Sequence, residues 1–178
     1  MTRKHNGRWL IVVVLAVLVG WPVYQLADWY KNVTSRHDAS YSLFEVSLFQ
    51  MELLNSTLRE AATAQDTGQL DTLKLAAYSA QFTHERLAAA MEEEGLVDLA
   101  SLPQLQQVLL RLQIGGRRTL KPEETQLIGE AAELFQRLYE EYGGLMGPNH
   151  RLIPSKNDKV RKFDKELQEL LRKKLLGG

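Results

Sequence analysis

From Trp9 to Ala27 the chain runs for 19 residues without a charge, WLIVVVLAVLVGWPVYQLA, between Arg8 and Asp28. At about 1.5 Å per residue a helix of that length reaches roughly 28 Å, close to the ~30 Å hydrocarbon thickness of a bilayer. A soluble core helix would carry a polar face, and this run shows none before Gln25. Trp9 stands at one edge, and Trp21, Tyr24, Trp29 and Tyr30 cluster near the other, as rings do at the headgroup level. Pro22 falls in the last turns, where a membrane helix tolerates a kink. The segment therefore reads as a transmembrane anchor, with Trp9, Leu10, Val14, Leu18, Trp21 and Tyr24 meeting lipid and interface.

A cleaved signal peptide shares the layout of a basic start and an apolar stretch. Cleavage needs small residues in an A-x-A-like pattern, and the best candidate here is Gln25-Leu26-Ala27, with a large polar residue at the first position. The expectation is an uncleaved anchor. Arg3, Lys4 and Arg8 precede it, and Lys31 and Arg36 follow. The positive-inside rule then leaves the N-terminus in the cytoplasm and the rest of the chain outside, by a small margin.

The net charge of zero conceals a strong pattern. Residues 37–147 hold 17 acidic and 8 basic side chains, whereas residues 148–178 hold 4 acidic and 9 basic ones. An acidic middle and a basic tail follow the anchor. The expected organisation is a basic tail (1–8), an anchor (9–27), a juxtamembrane segment (28–40) and a helical bundle (41–178) ending in a basic helix (156–176).

Helical periodicity carries the bundle. Phe44, Leu48, Met51, Leu54, Leu58 and Ala62 recur every three or four residues, and Gly68 is the expected stop. Leu73, Ala77, Ala80, His84, Leu87 and Met91 repeat the pattern, predicting a second helix over 70–94 that folds back on the first as a hairpin. Its last turn would hold Glu92, Glu93 and Glu94, read as a solvated end although the helix dipole opposes acids there. Ser101 with Gln104 suggests a capping box for a third helix, ended by Gly115-Gly116. Lys121-Pro122-Glu123-Glu124 opens a fourth, with the stripe Leu127, Ala131, Leu134, Leu138, Tyr142 and Leu145. No alternating strand pattern and no internal repeat occurs. The expected class is all-α: one transmembrane helix and a bundle of four to five helices.

Chemistry is sparse. The chain has no cysteine, which removes disulfides, thiolate nucleophiles and Cys-based metal sites. His84-Glu85 begins like HExxH, but position 88 is Ala88, so the zinc motif fails and His84 reads as a core residue. No nucleophile elbow, P-loop or dinucleotide loop appears. Neighbouring acids such as Glu140-Glu141 point in different directions on a helix. No catalytic, metal or cofactor residue is assigned. Gly115-Gly116-Arg117-Arg118 is a weak candidate for anion contact through Arg117 and Arg118, against the reading of a helix stop and a solvated turn.

The C-terminal helix is basic and amphipathic. Phe163, Leu167 and Leu170 with Lys162, Arg172 and Lys173 are the candidate partner contacts, the alternatives being closure of the bundle or contact with a membrane surface. Nucleic acid is not expected, because the basic excess is local and on the exported side. In arrangement alone, a short basic tail, one span and then helices, the chain is similar to small anchored proteins of endospore-forming bacteria, some acting in sporulation or germination. No motif carries the likeness and no residue role follows from it. The expected function is a non-enzymatic, membrane-anchored extracytoplasmic interaction or scaffold module of a bacterial envelope, binding a protein partner or itself. The alternative is a sensory ligand-binding bundle. An enzyme would need a constellation the sequence does not display.

Overall fold

The computed structural model describes Trp21 and residues 39–176. The residues expected to form an anchor, Trp9, Leu10, Val14, Leu18 and Tyr24, lie outside the described residues; Trp21 is helical and exposed. Among the described residues no helix is long and apolar enough to cross a membrane.

Residues 40–178 form one compact unit, a bundle of five α-helices with no strand among the described residues. They are α1 (39–61), α2 (Asp71–Ala90), α3 (Ser101–Gln113), α4 (Pro122–Tyr142) and α5 (Pro154–Leu176). α3 packs on α2 and α5, and α5 packs on α4. α1 meets α4 where Ser47 touches Tyr142. The six residues of the α2 stripe are all buried, as are Phe44, Met51, Leu54 and Leu58 of α1.

The helix ends show where local signals yield to tertiary ones. α1 stops at residue 61, not at Gly68; a 3₁₀ turn, Thr67–Leu70, precedes α2, and Asp66 caps it by accepting from the Gly68 N–H at 2.8 Å. α2 ends at Ala90, short of the expected 94, and the three glutamates occupy a separate 3₁₀ turn closed by Gly95 at φ 74°. Glu94 is not simply solvated: its Oε2 accepts the Leu152 N–H at 3.1 Å. The Ser101 capping box does not form. The Ser101 N–H donates instead to Asp164 Oδ1 of α5 at 3.0 Å, so a carboxylate from a distant helix supplies the anion that a helix N-terminus attracts. At α4 the sequence signal holds: Pro122 opens the helix, and Glu124 reaches back to the Lys121 N–H at 2.9 Å.

Two clips fasten the loops. Residues 65–67 pair with 118–120, through Thr67 N–H to Arg118 O and Leu120 N–H to Gln65 O, both 2.9 Å. Met146 bridges Leu152 within the α4–α5 loop. Gly115 and Gly116 have φ of 97° and 87°, a conformation that L side chains adopt only at a cost, and this turn delivers Arg118 to the first clip.

Candidate interaction surface

The basic helix α5 turns its apolar face inward. Val160, Leu167 and Leu171 are fully buried, and Phe163 and Leu170 are partly buried against the core. Leu167 therefore belongs to the core and is removed from the candidate contacts, because a side chain closed in on every side offers nothing to a partner. Lys162 lies 5.8 Å over the Phe163 ring and 3.9 Å from Glu166. Arg172 and Lys173 are exposed. Lys156 and Lys159 both reach Glu141 of α4, at 2.7 and 3.0 Å, so part of the basic tail neutralises the acidic middle.

The two arginines after Gly116 have separate environments. Arg118 makes a bidentate pair with Glu124, both contacts 2.8 Å, and also donates to the Thr119 carbonyl at 3.1 Å. This geometry holds the Glu124 carboxyl down at about 2 and fixes the α3–α4 turn. Arg117 pairs through Nε with Asp66 at 3.2 Å. Beside it opens a cleft of about 530 Å³ lined by Thr67, Gly68, Asp71, Lys74, Gln113 and Arg117. Lys74 sits 3.1 Å from Asp71, so the two cations and two carboxylates around this cleft balance.

A buried polar chain runs through the core. His84 is 2% exposed; its Nε2 lies 2.9 Å from the Val97 carbonyl and its Nδ1 3.0 Å from Tyr142 Oη. A carbonyl only accepts, so Nε2 carries the proton and Nδ1 of the neutral ring accepts from Tyr142. Tyr142 in turn receives the Ser47 hydroxyl at 2.7 Å. The Val97 N–H donates to Asn157 Oδ1 at 3.0 Å, and Asn157 Nδ2 donates to the Gly95 carbonyl at 2.9 Å. Asp164 of α5, which caps α3, also accepts from Gln168. Burial lowers the pKa of His84 and raises that of Tyr142. These groups join all five helices and the 91–100 connector. Their polar atoms face one another, which suits positioning.

The outer surface is lopsided. The large apolar side chains exposed on the bundle are Val46, Phe49 and Leu53 of α1, Leu75, Tyr78 and Phe82 of α2, Leu110 of α3, and Ile114 just beyond it. α4 and α5 supply none among the described residues. α2 is thus apolar on two sides: the 73-77-80-84-87 stripe is buried, and the 75-78-82 stripe faces out. Lys74 bonds to Gln113 at 2.8 Å and Gln106 to Gln81, which sets α2 and α3 antiparallel and brings Tyr78 level with Leu110. The Tyr78 and Phe82 rings stack at 6.5 Å, with the Arg86 guanidinium 5.2 Å over Phe82. This second stripe was visible in the sequence as i, i+3, i+7 spacing, but it was masked by the stronger core stripe on the same helix. Among the described residues no group of three or more His, Asp or Glu converges as a metal site would require. The chain matches no protein-family model, no curated protein and no solved structure.

Proposed function

We propose that this chain is a membrane-tethered helical interaction module: residues 9–27 hold it in a bilayer with the bundle on the extracytoplasmic side, and the bundle binds protein through its α1–α3 side. The observation that carries the reading is the outward stripe of Leu75, Tyr78 and Phe82 at 66, 59 and 48% exposure, with Leu110 exposed on the neighbouring α3 and Ile114 just beyond its end. A monomer gains nothing from aromatic rings in water, whereas contiguous apolar surface of this kind is what protein contacts bury. The charged α4–α5 side supplies solubility. The uncharged run and its aromatic flanks support the tether.

A sensory ligand-binding bundle draws on the 530 Å³ cleft at Lys74 and Arg117. The pairing of both cations with Asp71 and Asp66 favours the interaction reading, since an anion would have to displace them.

The test is affinity capture of the tagged full-length chain from its native membrane, alongside a Leu75→Glu/Phe82→Glu variant. Proteins captured by the wild type and lost with the variant support the reading; an identical captured set overturns it. Alkaline phosphatase fused after Gly178 should be active. An inactive fusion with an active cytoplasmic reporter would reverse the topology.

A further inference from the structure

The outward stripe of α2 is close to a palindrome in space. Asp71, Leu75, Tyr78, Phe82 and Arg86 follow one another at intervals of four, three, four and four residues along a single helix face. Turned end for end about a point between residues 78 and 79, the helix places Leu75 on Phe82, Tyr78 beside itself, and Asp71 on Arg86. Lys74 and Glu85 fall close to opposite each other in the same operation. Charge and shape therefore complement each other only when a second helix of the same sequence runs antiparallel. In the parallel arrangement Asp71 would meet Asp71 and Arg86 would meet Arg86, which is unfavourable.

Area agrees. Leu75, Tyr78, Phe82, Leu110 and Ile114 average about three-fifths exposed. At roughly 170 Å² each they leave on the order of 500 Å² of apolar surface. Homodimer interfaces are about 65% apolar, so this corresponds to a patch of about 800 Å² per partner, the size of a standard stable interface. The surrounding Asp71, Lys74, Gln81, Glu85 and Arg86 form the polar rim. Such a contact is isologous, the same patch on both copies.

We infer that the partner of the α2 face is a second copy of this chain, docked antiparallel across a two-fold axis at Tyr78. This rests on the reading of the chain as an interaction module. The absence of cysteine makes the test direct, because each introduced thiol is the only one present. The full-length chain in detergent micelles is oxidised with copper-phenanthroline as single-cysteine variants. Tyr78→Cys should form disulfide dimers, and so should a mixture of differently tagged Leu75→Cys and Phe82→Cys chains. Phe82→Cys alone should yield at least tenfold less, since in the antiparallel pair its copies stand about 10 Å apart along the axis, beyond disulfide reach. Adding Phe82→Glu to Tyr78→Cys should abolish the dimer without altering the circular dichroism melt. Equal crosslinking of Phe82→Cys and Tyr78→Cys would overturn the antiparallel two-fold. No dimer at any of the three positions would overturn self-association. If capture from native membranes still depended on Leu75 and Phe82, the face would belong to a different protein and the interaction reading would stand.

Discussion

Tyr142→Phe isolates the buried polar chain. The Tyr142 side chain is fully buried, with its ring 6.0 Å from Phe44 and 5.7 Å from His84. Removing only the hydroxyl preserves that packing, so cavity costs are small. Two partners are affected: Ser47 at 2.7 Å and His84 Nδ1 at 3.0 Å. The serine hydroxyl can turn to a carbonyl one helical turn back, but Nδ1 has no comparable substitute. A buried polar group left unsatisfied costs about 1–3 kcal/mol. One full and one partial loss give about 2–3 kcal/mol. For a bundle of this size that is a fall of about 6–10 °C in Tm. Ser47→Ala in the same chain removes one orphan, so the double variant should be more stable than the sum of the singles by about 1 kcal/mol. Urea and thermal unfolding of the full-length chain in detergent micelles, followed by circular dichroism at 222 nm, measures both. A Tyr142→Phe cost below about 0.5 kcal/mol would refute the claim that this hydroxyl joins α1, α2 and α4.

Burial holds His84 neutral in the fold, whereas the unfolded chain takes up a proton near pH 6.5. The unfolded state then binds more protons, so stability falls as pH drops below about 6.5, by at most about 1.4 kcal/mol per pH unit, and His84→Gln should flatten the profile just below pH 6.5. Glu124 contributes lower down: with its folded pKa at about 2 against 4.5, its stabilisation is present above pH 4.5 and is lost as pH falls toward 2, so Glu124→Gln should remove that second descent. On α5, Leu167→Ala should cost about 2–5 kcal/mol and Lys173→Ala within about 0.5 kcal/mol in denaturant melts; the reverse order would contradict the burial of that helix.

The fold was largely legible because the core stripes are strong. The α2 stripe predicted from spacing alone is buried throughout, and the α4 stripe is buried apart from Leu134, which is half-buried. The ends were less legible, since they depend on partners far along the chain. Asp164 caps α3 from 63 residues away, and the α1–α2 connection is pinned by the Asp66–Thr119 bridge, a partner far along the chain. His84 read correctly as a core residue, but its partners Tyr142 and Val97 could not be found by spacing. Basic composition drew attention to α5, where Leu167 proved to be packed inside. The outward α2 stripe was present in the same letters. A helix with two apolar faces yields its weaker face only once the stronger is known to be occupied.

Site-specific photocrosslinking in the native membrane tests the central claim most directly. A benzophenone amino acid is placed in the full-length chain at position 78 on α2, and separately at position 165 on the outer side of α5. The account predicts crosslinked protein adducts at 78 and at most a trace at 165. Adducts at 165 with none at 78 would contradict it and return the contact to the basic helix.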